Sequence, residues 1–292
     1  MAEPARVVTA LGNHGLAVHE SGAGVPTPFE IRFRRRVGRP LPGDRVELDA
    51  DGGVVTILPR SSVFGRGVAG RFRPVAANLD RLLIVIAPEP APSQALLHRY
   101  ATAARIQDVT PAIVLNKCDL PIPSAAPFTD LDELALPVYR TRTVPPPTLN
   151  GLPASMTTGL HLLAGQSGVG KTSLANALVP DLAAQTESLS RTTGKGRHTT
   201  TAARLLRLPA GGWLVDTPGV WEYALWRMPL AELARGFPEF GELDERCRFR
   251  DCRHRDEPGC AVRAAAADGR IPSSRLAAWR MLLAEQQRLQ AG

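Results

Sequence analysis

Nine consecutive residues, Gly165-Gln166-Ser167-Gly168-Val169-Gly170-Lys171-Thr172-Ser173, combine three glycines with a lysine and three small hydroxyl side chains. Chemistry on phosphates needs this mixture. Glycines let the backbone approach a polyphosphate and turn successive N–H groups toward it, and a following helix adds its positive end. In such a loop Lys171 reaches the β- and γ-phosphates and the Thr172 hydroxyl ligates Mg²⁺. Further along stand Cys247, Cys252, His254 and Cys260, spaced C-x₄-C-x-H-x₅-C. Three thiolates and an imidazole make a closed tetrahedral set, which suits one structural Zn²⁺ per chain and leaves no open catalytic position.

The elements that position the first group are legible around it. Leu160 to Ala164 is an apolar strand and Leu174 to Leu178 has helical spacing, so the glycine turn lies between strand and helix. Leu82 to Ile86 and Ala112 to Leu115 read as buried strands of a parallel sheet, with a helix over Ser93 to Ile106 between them and Ser93 as its N-cap. The second strand delivers Asn116-Lys117-Cys118-Asp119. In N-K-x-D the Asp119 carboxylate accepts from guanine N1–H and N2–H₂, Asn116 holds the loop, and the Lys117 stem packs on the base. Cys118, at the variable position, is expected to be a small packing residue or free thiol.

Leu205 to Leu208 and Trp213 to Val215 follow as strands, the second ending in Asp216-Thr217-Pro218-Gly219. Asp216 is expected to hold Mg²⁺ through water and the Gly219 N–H to sense the γ-phosphate. The polar stretch Leu189 to Thr201 suits a first switch, with Thr199 or Thr200 as a further Mg²⁺ ligand. Val220 stands where a glutamine often orients the attacking water, so His198 is the nearest polar candidate for that work. N-K-x-D precedes the phosphate loop here, the reverse of the usual order, so the sheet is wound from a different starting strand, as in a circular permutation.

Residues 1 to about 73 carry short β-type segments, Arg6 to Thr9, Gly15 to His19, Phe29 to Phe33, Arg45 to Asp49 and Gly53 to Leu58, which suggest a small OB-type barrel. Alternation would send Arg32, Arg34 and Arg36 to one face, the preferred RNA-binding surface, with a solvated edge strand as the alternative. Arg60 to Pro74 reads as a mobile basic linker. Ser273 to Leu289 is an amphipathic helix carrying Leu276, Trp279, Leu283 and Leu289. Arg246, Arg248, Arg250, Arg253 and Arg255 surround the cysteines and are positioned to favour thiolates and to face RNA.

The 292 residues carry a formal net charge of +7, which favours a polyanionic partner. Lys117, Lys171 and Lys195 are the only lysines among 35 basic residues, so lysine marks places that need a compact charge, and two of the three fall in nucleotide motifs. No apolar run approaches the roughly 20 residues needed to span a bilayer, and the N-terminus lacks the order of a signal peptide. A cytoplasmic monomer with no membrane partner is expected. The architecture predicted is multidomain α/β: an N-terminal all-β OB-type barrel (1–73), a central circularly permuted P-loop GTPase domain (74–222) and a C-terminal mostly helical zinc-binding domain (223–292).

The barrel, the entry Ala77-Asn78-Leu79-Asp80, NKCDL, GQSGVGKTS, GRHTTT, DTPGV and the cysteine–histidine spacing together resemble the circularly permuted ribosome small subunit-dependent GTPases of bacteria. The resemblance implies hydrolysis of GTP to GDP with Mg²⁺, stimulation by the small ribosomal subunit, a role in its late maturation, and contact of barrel and zinc domain with ribosomal RNA. It also implies that His198 replaces the missing glutamine. The guanine-loop element, usually S-A or S-S, is here Tyr139-Arg140-Thr141-Arg142-Thr143, and which backbone amide meets guanine O6 stays open. Two rivals are a phosphate-loop ATPase or kinase, disfavoured by N-K-x-D, and a nucleotide-gated RNA-binding scaffold in which hydrolysis is incidental.

Overall fold

The computed structural model describes residues 4–19, 26–125, 127–182, 203–217 and 223–291. Five strands, β1 (Ala5–Leu11), β2 (His14–His19), β3 (Phe29–Phe33), β4 (Arg45–Leu48) and β5 (Gly53–Ile57), form the N-terminal barrel. β1–β2, β2–β3 and β4–β5 pair antiparallel, β3 pairs parallel with β5, and β4 returns to β1 to close the ring, the connectivity of an OB-type barrel. Alternation fills it with Ala5, Val7, Ala17, Ile31, Val46 and Val54. The opposite faces of β1 and β2 supply Val8, Leu16 and Val18 to the main core, so the barrel is packed on both sides of these strands.

The arginine stripe is corrected. β3 ends at Phe33 and Arg35–Val37 is a 3₁₀ turn, so strand alternation does not run through Arg34 and Arg36. Arg32 is exposed on the strand, Arg36 is exposed on the turn, and Arg34 pairs with Asp49.

The linker reading is corrected too. β6 (Val63–Val68) and β7 (Arg71–Ala77) form an antiparallel hairpin with a register shift between Phe64 and Gly65, and β7 runs across residues 73 and 74. Phe64 is fully buried and Phe72 packs on Trp226 with ring centroids 4.6 Å apart. A Cβ on Gly67 would lie 2.2 Å from the Leu225 carbonyl oxygen, so its lack of a side chain admits a close crossing of backbones rather than a flexible joint. Arg60 is equally structural: its Nε and Nη2 both donate to the buried Asp44 carboxylate at 2.7 Å.

The central sheet holds β8 (Arg81–Ile86), β9 (Thr110–Leu115), β10 (Val138–Arg140), β11 (Leu160–Ala164), β12 (Arg204–Arg207) and β13 (Trp213–Asp216) in the order β10-β9-β8-β11-β13-β12. All run parallel except β12. The strand that precedes the phosphate loop, β11, lies in the middle of this sheet, yet β8, β9 and β10 come before it in the chain, which is the permuted order. Helix α1 (Gln94–Ile106) is capped by the Ser93 side chain, which accepts from the Leu96 N–H. β12 bridges to β1 through Thr9 and Arg204, making barrel and central sheet one hydrogen-bonded surface.

After α2 (Lys171–Leu178) the described helices are α3 (Leu230–Ala234), α4 (Gly241–Asp244), α5 (Ala261–Ala267) and α6 (Ser273–Ala291). α6 buries Trp279 and Leu283 as its spacing predicts, but Leu276 and Leu289 are half-buried and the polar Arg275 and Gln286 are inside. Arg275 is satisfied there: it donates to His98 Nδ1 on α1 at 3.2 Å, to the Gly236 carbonyl at 3.0 Å and to Glu239, with its guanidinium 4.3 Å from the Phe237 ring centroid. A buried cation held on three sides fixes α6 to α1 more specifically than an apolar stripe would.

Candidate functional site

β11 ends at Ala164 and the chain turns through Gly165 to Gly170 into α2. Gly165 and Gly170 are obligatory: a Cβ on the first would sit 2.2 Å from the Val85 carbonyl oxygen, and on the second, at φ +92°, 2.4 Å from Asn116 Nδ2. Lys171 bends back to donate to the Gly165 and Gln166 carbonyls at 2.8 and 2.7 Å, and its half-buried position lowers its affinity for the proton. Val169 is buried as the loop's anchor, while Ser167, Thr172 and Ser173 are exposed. The loop therefore offers an open ring of polar groups with a cation at its centre.

The base-side loop is welded to it. Asn116, wholly buried at the end of β9, donates from Nδ2 to the Val169 carbonyl at 3.0 Å and accepts on Oδ1 from the Thr141 hydroxyl at 3.0 Å. Thr141 in turn takes the Cys118 N–H on its carbonyl at 3.1 Å and gives its own N–H to Leu115 at 2.8 Å. Lys117, at φ +57°, donates to the Glu89 carbonyl at 2.8 Å, and Asp119 is exposed, with its carboxylate open to a base. Cys118 donates to the Leu115 carbonyl and burial pushes its thiol pKa up, so it packs rather than reacts. Thr141 lies within 139–143, where sequence reasoning left open which backbone amide meets guanine O6; its own N–H is spent on Leu115, and its hydroxyl braces Asn116. Its signal was a hydroxyl at the end of a short strand beside N-K-x-D.

Asp216 closes β13 and pairs across the strands with Arg204, whose Nε and Nη2 lie 2.9 and 2.8 Å from Oδ2. Sequence reasoning missed Arg204, which is marked only by its cross-strand register with Asp216. His198, Thr199 and Thr200, the stretch Leu189 to Thr201 and the residues Gly219 and Val220 lie outside the described residues. With Thr172 exposed and no hydrogen bond to Asp216 Oδ1 among the described residues, the described donors fit a hard divalent cation.

Cys247, Cys252, His254 and Cys260 converge, their ligand atoms all within 4.8 Å of one another. His254 Nδ1 lies 3.7 Å from Cys247 Sγ and 3.3 Å from Cys260 Sγ, and the two sulfurs are 3.9 Å apart. Ligands at about 2.3 Å from a tetrahedral Zn²⁺ stand roughly 3.8 Å from each other, so the set has the right size. The outer imidazole nitrogen, Nε2, is 3.2 Å from Asp244 Oδ1, the partner that fixes a metal-binding tautomer. Phe240 and Trp279 pack their rings 5.6 and 5.7 Å from that of His254, and Trp279 Nε1 donates to the Arg253 carbonyl at 2.8 Å. Burial first, and then the neighbouring Cys260 and Cys247 thiols, push the Cys252 thiol up to about 12, which a bound cation would reverse.

The model of the RsgA GTPase family matches residues 57–226, which takes in both nucleotide loops, Asp216 and the central sheet. The chain belongs to the RsgA GTPase family. Among RsgA relatives, the small ribosomal subunit biogenesis GTPase RsgA of Alcanivorax borkumensis is 39% identical over 267 residues, covering 88% of this chain and 76% of that protein. The protein of the same description from Chromohalobacter salexigens is 45% identical over 248 residues, covering 82% and 72%. The crystal structure of YjeQ from Thermotoga maritima superposes with a TM-score of 0.77 at 27% identity over 98% of both chains. That of YloQ, a circularly permuted GTPase, does so with 0.71 at 25% identity over 98% and 95%. The RsgA fold thus accounts for barrel, permuted sheet and cysteine-bearing helical end together, and the chain is a GTP hydrolase.

Proposed function

We propose that this GTPase binds the small ribosomal subunit and acts in its late maturation, hydrolysing GTP slowly alone and faster on the subunit. The observation that carries the guanine-nucleotide reading is the Asn116 side chain joining the base loop to the phosphate loop while Asp119 stays open. The subunit comes from the relatives' shared description and from the +7 charge.

In this reading Gly165, Gln166, Ser167, Gly168, Val169, Gly170, Lys171, Thr172 and Ser173 cradle the phosphates, and Asn116, Lys117 and Asp119 hold guanine. Bound Mg²⁺ would supply charge neutralisation between the β- and γ-phosphates, with Thr172, Asp216 and either Thr199 or Thr200 to hold it. Lys171 leaves the loop carbonyls for the phosphate oxygens. Gly219 senses the γ-phosphate, and His198 positions the attacking water or takes its proton, work that Val220 cannot do. Cys247, Cys252, His254 and Cys260 hold one structural Zn²⁺, and Arg32, Arg34 and Arg36 contribute RNA contacts from the barrel. The three units are assigned to 1–73, 74–222 and 223–292 in a cytoplasmic monomer. Among the described residues no helix is long and apolar enough to cross a membrane.

The test is GTP hydrolysis by the purified protein with small subunits, with large subunits and alone. Stimulation by small subunits only is expected. Equal rates in all three would break the link to the ribosome and leave the nucleotide site standing.

A further inference from the structure

Arg204 touches the one carboxylate expected to face Mg²⁺. Both of its contacts fall on the same oxygen: Nε is 2.9 Å and Nη2 2.8 Å from Asp216 Oδ2. Among the described residues, no other hydrogen bond reaches that carboxylate. The pair is not a loose surface contact, because the Arg204 side chain is 16% exposed and its backbone is fixed in register with Asp216 on one side and Thr9 of the barrel on the other. Thr9 adds a bond from its hydroxyl to the Ala203 carbonyl at 3.3 Å, beside Arg204. The register therefore keeps the guanidinium within reach of Asp216 when a second cation arrives.

A carboxylate that already neutralises one fixed positive charge attracts another cation less, and two cations sharing it repel each other. We propose that Arg204 competes with Mg²⁺ for Asp216 and so sets the Mg²⁺ concentration at which the site retains its nucleotide. Arg204 is then a positioning residue. It acts through the aspartate. The inference rests on Asp216 being the Mg²⁺ aspartate.

The test is the release rate of a fluorescent GDP analogue from the full chain as Mg²⁺ is titrated, for the wild type and for Arg204→Gln, Arg204→Met, Arg204→Lys and Asp216→Asn. Removing the charge should lower the midpoint Mg²⁺ concentration about two- to fivefold, the worth of a partly exposed ion pair, and leave the release rate in chelator unchanged. Arg204→Met keeps the side chain's apolar stem should Arg204→Gln fold poorly, and Arg204→Lys, which keeps the charge, should stay near the wild type. A midpoint unchanged or raised in both uncharged variants overturns the proposal. Wild-type Mg²⁺ dependence in Asp216→Asn would instead remove the reading of Asp216 on which it stands.

Discussion

Asn116 and Val169 are 53 positions apart in the chain and are joined by one hydrogen bond of 3.0 Å. Through it the loop that selects the base and the loop that holds the phosphates move as one body. Asn116→Ala removes that bond and strands the Thr141 hydroxyl, so nucleotide affinity should fall by about 2 to 4 kcal/mol. Thr141→Val, which removes only the second bond, should cost about 1 kcal/mol. Calorimetric titration with GDP measures both. Equal losses would mean that the Thr141 bond carries the whole effect and the Val169 bond adds nothing to it.

His198→Ala should bind GTP within about threefold of wild type while subunit-stimulated hydrolysis drops roughly a hundredfold or more, the usual weight of a general base. A parallel fall in binding would make the residue part of the nucleotide pocket rather than of the chemistry.

Removal of zinc should loosen the helical end. Cys252→Ser should purify with less than a full equivalent of zinc by elemental analysis, and its near-ultraviolet circular dichroism should lose the contribution of Trp279, whose ring packs on His254. Full zinc content in the variant would exclude Cys252 from the ligand set.

His98 is buried against the Arg275 cation, and desolvation first, then that charge, depresses its pKa from 6.5 to about 4. Between those values the unfolded chain binds a proton that the folded chain refuses, so stability must fall as pH drops through the window and must be fully present above pH 6.5. His161, also buried with a lowered pKa, acts in the same direction. Urea titrations from pH 7 to pH 4 should show a smaller loss in His98→Gln, by on the order of 2 to 3 kcal/mol. Parallel curves would place the acid sensitivity elsewhere.

Tyr223 accepts from Gln107 Nε2 at 2.8 Å and donates to the Gly65 carbonyl at 2.5 Å, while Gln107 Oε1 takes the Gly65 N–H at 2.5 Å. This buried ring of three ties α1, the β6–β7 hairpin and the chain just beyond Asp216-Thr217-Pro218-Gly219. Tyr223→Phe should destabilise by about 1 to 3 kcal/mol in thermal or urea unfolding, because the buried Gly65 carbonyl loses its donor while Gln107 keeps only Ala103 and the Gly65 N–H. A difference below a few tenths of a kcal/mol would mean that the ring re-pairs without the hydroxyl.

What could be read in advance follows a physical divide. The five barrel strands, the buried strands β8, β9 and β11 and the capped helix α1 announce themselves by alternation, apolar runs and Ser93, since these are local patterns. Gly165 to Ser173 and Asn116 to Asp119 were legible because each carries its chemistry in consecutive residues. The hairpin β6–β7 was hidden by its glycines and arginines, which suggest a linker until Leu225 is seen crossing Gly67. Arg275, Arg204 and Thr141 were hidden for a different reason. Arg275 and Thr141 have partners 177 and 25 positions away, and Arg204, only 12 positions from Asp216, meets it through a cross-strand register that no local pattern states.

The strand order has a consequence for synthesis. Barrel, β8, β9 and the base loop leave the ribosome first, yet the Asn116 side chain meets its partners only when Thr141 and then Val169 emerge. A nascent chain therefore carries its base loop before it has anything to hold the phosphates, and nucleotide can template only the last half of the central sheet, where β11 joins β8 and β13 joins β11.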